Sequence, residues 1–270
     1  MNKLFFIAIT IFLATAATSQ PKTTQNGLEV RPATIEFSVT PGATASRKIF
    51  VTNTLTEKTQ FTVYLNDWRR DTVGGHVFSE PGPDQRSCAK WVTIDNTFFE
   101  LEPGQRQEIN ITLQHPIDST EVPQMKWCML FIETTKEKKV ESATGFKTTI
   151  ANRYRVGVHL YQTPPEITEK EVKLIQITSL AADANLYRLI CRNTGKTQLQ
   201  CSGYIELFSL SDGSKLRLPS QEFPIFPEQI RYVDFSLPEQ LAKGKYTLTG
   251  IIDAGIDVPL EAGQLTIEIK

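Results

Sequence analysis

Phe146-Lys-Thr-Thr-Ile150-Ala-Asn-Arg-Tyr154-Arg-Val156-Gly-Val158-His-Leu160 reads as one long β-strand. Its even positions, Phe146, Thr148, Ile150, Asn152, Tyr154, Val156, Val158 and Leu160, make a largely apolar face, while Lys147, Arg153, Arg155 and His159 fall on the odd face. Successive side chains of a strand point to opposite sides of a sheet, so a period of two means one side packs on a core. Globular strands commonly run about 5–6 residues, and one this long can outrun its own sheet. The polar, Lys-rich stretch Lys136 to Gly145 before it reads as a loop. Tyr161-Gln-Thr-Pro164-Pro165-Glu166 after it cannot continue a ladder, because proline lacks the N–H and holds the residue before it extended.

The same alternation recurs in Ile49 to Val51, Phe61 to Leu65, Ile109 to Leu113, Tyr204 to Leu207 and Tyr246 to Leu248. Turn clusters separate these runs, among them Pro41-Gly42, Gly74-Gly75, Pro81-Gly82-Pro83, Pro103-Gly104, Asp212-Gly213 and Lys243-Gly244. Only Leu180 to Ala184 and Glu239 to Ala242 read as helical, and both are too short to be more than connecting turns. The expected fold is therefore all-β, two immunoglobulin-like β-sandwiches in tandem: residues 27–163 and 167–270, with a linker at 164–166. Ahead of them, Lys3, the apolar run Leu4 to Leu13 and the small residues to Ser19 read as a cleaved secretory signal over residues 1–20, followed by a polar leader at 21–26. The apolar run is about ten residues, half of what a membrane span needs. The mature chain is expected outside the cytoplasm, in the periplasm or at the envelope exterior.

Export changes the reading of Cys88, Cys128, Cys191 and Cys201, since disulfides persist outside the cytosol. Cys191 and Cys201 flank Asn193-Thr194-Gly195, which reads as a hairpin turn that would pair them; Cys88 and Cys128 then pair with each other or stand as buried thiols. Neither Cys-x-x-Cys nor His-Glu-x-x-His is present, and His76, His115 and His159 lie in separate segments. No metal site, cofactor or enzyme activity is expected. A net charge of -1 from 29 Lys+Arg and 30 Asp+Glu provides no basic surface for a phosphate backbone. Asp67 and Asp71 around Trp68-Arg69-Arg70 suggest a salt-bridged turn, and Trp68, Trp91 and Trp127 suggest core packing of the first sandwich.

In order along the first half, Val30 to Phe37, Pro41-Gly42, Ile49 to Asn53, Phe61 to Trp68, Phe99 to Gly104, Trp127 to Ile132 and Tyr154 to Pro164 resemble periplasmic pilus chaperones of the PapD type over residues 28–164. The two-domain layout also resembles the surface proteins that interact with WxL-type wall proteins. The chaperone resemblance implies a binding protein that engages a β-rich exported subunit by strand addition through the last strand of its first domain. In that family an Arg on the first strand and a Lys on the last strand of domain one anchor the subunit's terminal carboxylate. Here Ala33 or Thr34 and His159 fall near those places, so neither motif residue is reproduced. Arg31, Arg153 and Arg155 are nearby cations that could serve in another register or stand solvated on outward faces. The partner-binding residues expected are Phe146, Thr148, Ile150, Arg153, Arg155, Val158 and His159, and the alternative role is a permanent envelope scaffold or adhesion component without client turnover.

Overall fold

In the computed structural model, residues 27–117, 122–141, 147–180 and 185–269 are described, with backbone alone over 135–141 and 147–152. The expected signal and leader, Phe146, and most of Leu180 to Ala184 lie outside the described residues.

Ten strands form the first sandwich: β1 (Leu28–Arg31), β2 (Thr34–Phe37), β3 (Thr44–Asn53), β4 (Thr59–Arg70), β5 (His76–Ser79), β6 (Val92–Ile94), β7 (Phe98–Leu101), β8 (Arg106–Gln114), β9 (Lys126–Glu141) and β10 (Lys147–Gln162). One sheet is ordered β1-β3-β8-β6; the other runs β2-β10-β9-β4-β5, with β7 also on β4. The chain leaves the first sheet after β1 and enters the second as β2, parallel to β10, and Pro32, which has no N–H to give either ladder, stands at the crossing. The alternating apolar positions meet between the sheets, with Ile49, Val51, Ile109, Ile111 and Leu113 from one packing on Phe61, Leu130, Ile132, Val158 and Leu160 from the other. The stretch read as a Lys-rich loop is different: β9 continues to Glu141, in unbroken register with β10.

The second sandwich holds β11 (Val172–Ser179), β12 (Leu186–Asn193), β13 (Leu199–Ser209), β14 (Lys215–Arg217), β15 (Gln221–Ile225), β16 (Ile230–Ser236), β17 (Gly244–Asp253) and β18 (Glu261–Ile269). Its sheets are β11-β12-β16 and β14-β13-β17-β18, with β15 on β13. The expected Cys191–Cys201 hairpin is corrected here. β12 and β13 belong to opposite sheets, so the turn between them is an arch over the core and not a hairpin. Asn193 builds that arch: fully buried, it donates from Nδ2 to the carbonyls of Thr197 (2.8 Å) and Ile225 (3.0 Å) and accepts at Oδ1 from the Gly195 N–H (2.9 Å). Asn53 does the same between β3 and β4, donating to Glu57 O and Leu101 O (both 2.9 Å) and accepting from the Leu55 N–H (2.9 Å). A buried amide satisfied by three backbone groups fixes a loop that the backbone alone would leave with unpaired polar atoms.

All four cysteines are buried free thiols. Burial pushes the thiols of Cys191 and Cys201 up to about 12. The Sγ atoms of Cys88 and Cys128 lie 3.4 Å apart.

A third cluster joins the two sandwiches. Phe226, just after β15, is fully buried, with ring centroids 5.1 Å from Trp68, 4.9 Å from Trp127 and 5.8 Å from Tyr161. Trp68 and Trp127, expected in the core of the first sandwich, therefore sit on the outer face of its second sheet, and the Trp127 Nε1–H donates to Trp68 O at 2.8 Å. Arg86 pairs with Glu228 (2.8 Å), and the Tyr232 N–H donates to Thr72 O (2.7 Å). Apolar packing and directional bonds together set the elbow angle.

Candidate functional site

β9 and β10 pair residue for residue from Lys126↔Gln162 to Glu141↔Lys147, but their neighbours do not follow them. β4 pairs with β9 only over Thr62–Asn66, ending opposite Glu133, and β2 pairs with β10 only over His159–Gln162. Residues 134–141 and their partners thus form a two-stranded ribbon that projects about 26 Å beyond the sheet at roughly 3.3 Å per residue. Among the described residues, no strand pairs with the far edge of β10 from Lys147 to Val158, about 40 Å of open ladder.

Which backbone groups face that opening follows from the register. The N–H groups of His159 and Thr163 donate to Ala33 O and Phe37 O (both 3.0 Å), away from β9. In an antiparallel pair the direction alternates along the strand, so odd residues of β10 direct N–H and C=O outward and even residues bond to β9. Beside the opening runs a groove of about 680 Å³ between Leu28–Arg31 of β1 and Arg153–Val156 of β10. The open edge and the groove thus lie side by side along β10.

The expected partner-binding residues divide. Phe146 lies outside the described residues. Thr148 and Ile150 lie on the projecting ribbon, opposite Val140 and Lys138. Val158, at the end of the open edge, turns its side chain into the first core, where it is fully buried. Arg153 is exposed and pairs with Glu133 at 3.1 Å, the carboxylate that also accepts from Tyr64 Oη at 2.7 Å. Arg155 lies over the rings of Phe131 (4.2 Å) and Phe78 (5.4 Å). Both arginines decorate the outer sheet face, with Glu29 taking up Arg31 at the edge of β1. Gly157 keeps this face shallow, since a Cβ there would stand 2.8 Å from Met129 Sδ and 3.1 Å from Phe131 Cε1.

Farther along β10, His159 lies opposite Thr34 at the mouth of a cleft of about 1190 Å³ between the sandwiches, lined by Glu36, Arg47 and Tyr161 on one side and Gln198, Gln200 and Asp257 on the other. The parallel ladder of β2 and β10 thus brings Thr34 and the His159 imidazole side by side. His159 contacts His76, Nε2 to Nε2 at 3.2 Å, and both rings pack on Trp68 at 4.8–5.1 Å. Burial first, then His76 and the Arg70 guanidinium, lowers the His159 imidazole to about 4; burial and Arg70 lower His76 as well. Sequence reading left His76 and Phe78 out of the site, because β5 is short and lacks an alternating apolar face; only its place after the Asp71–Gly75 turn signals a strand folding back on β4.

Among the described residues, no group of three or more His, Cys, Asp or Glu is placed to hold a metal ion, and no helix is long and apolar enough to cross a membrane. No family model and no curated protein matches the chain. Among solved structures it is similar to the class 5 fimbriae chaperone CfaA (13% identity over 89% of this chain and 98% of that one, TM-score 0.46), to a chain of the chaperone–tip adhesin complex of CFA/I fimbriae (13%, 90% and 98%, TM-score 0.47), and to the E. coli chaperone DraB (13%, 91% and 98%, TM-score 0.43). In each comparison the match spans nearly the whole of both chains.

Proposed function

We propose that this protein is an extracytoplasmic, chaperone-like binding protein that holds a β-rich exported subunit by strand addition along the open edge of β10. The observation that carries the reading is the unpaired ladder from Lys147 to Val158. Exposed edges of this length are a hazard that proteins cover or blunt, and one left open on a strand longer than its sheet needs a use. An added strand would pair with the outward N–H and C=O groups of the odd residues of β10, with Thr148 and Ile150 at the alternate positions of the same strand. The site supports non-covalent binding, and no cofactor enters the reading. Arg153 and Arg155, already engaged by Glu133 and the aromatic pair, serve to shape the face beside the edge rather than to anchor a carboxylate in the cleft.

Brief crosslinking of the tagged chain in its native envelope, followed by mass spectrometry, tests this. The expected result is crosslinks from residues 147–158 to a newly exported β-rich subunit that fade as the subunit matures. A complex of fixed stoichiometry, contacted through other faces and lasting without turnover, would instead make the protein a permanent scaffold or adhesion component.

A further inference from the structure

The turn between β4 and β5 is tied at two points to different bodies. At its tip, Asp71 Oδ1 accepts from the N–H groups of Val73 (3.0 Å) and Gly75 (2.7 Å), and Thr72 O accepts from Tyr232 N of the second sandwich (2.7 Å). At its return, His76 stacks on Phe78 (centroids 5.7 Å, interplanar angle 4°) and meets His159 of β10. The two imidazole centroids are 5.4 Å apart and the nitrogens 3.2 Å, so the rings meet tip to tip and one Nε2–H donates to the other Nε2. That bond exists only while one Nε2 is bare. When both rings are imidazolium, both nitrogens are donors and two cations face each other.

We propose that the His76–His159 contact is a proton-operated latch that holds the β4–β5 hairpin across the elbow, and that acidification releases the hairpin and its tie to the second sandwich. The surroundings oppose charge on the pair. From β4 the nearest charge is the Arg70 guanidinium, whose Nη1 donates to Gly74 O (2.8 Å); Arg155 of β10 lies over Phe78, and Arg231 of β16 reaches toward Thr72 O (3.5 Å). The Asp71 carboxylate is turned into its own hairpin. Glu36 of β2 acts on Tyr161, which burial keeps neutral up to about 12. A base whose latched value lies below its free value favours the latch at neutral pH and releases it as pH falls below the ordinary imidazole range. With His159 moved from 6.5 to about 4 and discounted for its partial exposure, hairpin opening at pH 5 should exceed that at pH 7 by about ten-fold.

The test is amide hydrogen exchange over residues 71–79 at pH 7 and pH 5, corrected for intrinsic rates, in the wild-type chain and the His76→Phe/His159→Gln double variant, with imidazole titration followed by NMR. The expected result is about ten-fold more opening at the lower pH in the wild type, a coupled low-lying titration of the two rings, and no pH response of the hairpin in the double variant, whether it stays closed or stands open. A wild-type hairpin indifferent to pH, a double variant that responds as the wild type does, or two independent titrations at the ordinary histidine value would each overturn the proposal.

Discussion

Replacing Ala151 with proline separates the open edge from the fold that presents it. Ala151 is an odd residue of β10, opposite Glu137, so its N–H faces away from β9; that of Ile150, opposite Lys138, faces toward β9. Proline is tolerated on an edge strand when its missing N–H is the outward one, and its fixed φ lies within the extended range. The Ala151→Pro chain should therefore keep its own stability within about 0.5 kcal/mol. A strand added at the edge would lose one backbone bond, worth roughly 0.5–1.5 kcal/mol net, and would leave its own carbonyl unpaired against the ring at a cost of about 1–3 kcal/mol. Together these give about 2–4 kcal/mol, or roughly 30-fold to several-hundred-fold weaker partner binding. Ile150→Pro should instead break the β9–β10 ladder and disturb the ribbon itself. The assay is titration of the captured partner against both variants, with thermal unfolding run in parallel. Ala151→Pro binding within about three-fold of wild type, with the fold intact, would refute the reasoning, since a strand on this edge cannot ignore a lost donor at its centre.

Two further outcomes follow from the packing. Phe226→Ala empties a fully buried aromatic site at the elbow and should cost about 3–5 kcal/mol, read in urea as separate unfolding of two sandwiches that otherwise unfold together; a loss under about 1 kcal/mol would show that the aromatic cluster does not set the elbow. Exposure of the folded chain to an oxidised dithiol donor should join Cys88 to Cys128, whose sulfurs lie 3.4 Å apart, and leave Cys191 and Cys201 as thiols. The bond should add about 4 kcal/mol by restricting the unfolded chain, and alkylation followed by mass measurement distinguishes this from four reactive thiols after denaturation.

Much of the fold was legible because sandwich strands write their burial as alternation. The even face of β10 entered the core at Val156, Val158 and Leu160, as its period of two implied. The turn at Asn193 was misread because a polar-glycine turn between apolar runs looks the same whether the chain folds back in one sheet or crosses to the other. A better signal stood in the repetition: Asn53-Thr54 followed by Lys58-Thr59-Gln60, and Asn193-Thr194 followed by Lys196-Thr197-Gln198, mark two arches built on the same buried asparagine amide. The length of β10 was readable, while the end of its pairing was not, because where β4 and β2 stop depends on strands distant in sequence. The His76–His159 contact spans 83 positions, and Phe226 reaches the tryptophans from the other sandwich; no local pattern encodes either.

Strand addition predicts an alternation visible in backbone amides alone. In the free chain, the N–H groups of Thr149, Ala151, Arg153, Arg155 and Gly157 face outward from β10 and should exchange rapidly, whereas those of Thr148, Ile150, Asn152 and Tyr154 bond to β9 and should exchange slowly. Residue-resolved hydrogen exchange with and without the captured partner is the most direct measurement. The expected result is new protection confined to the odd residues from Thr149 to Gly157. Unchanged odd amides in a saturated complex, or protection that appears only on the second sandwich, would contradict the assignment of β10 as the binding edge.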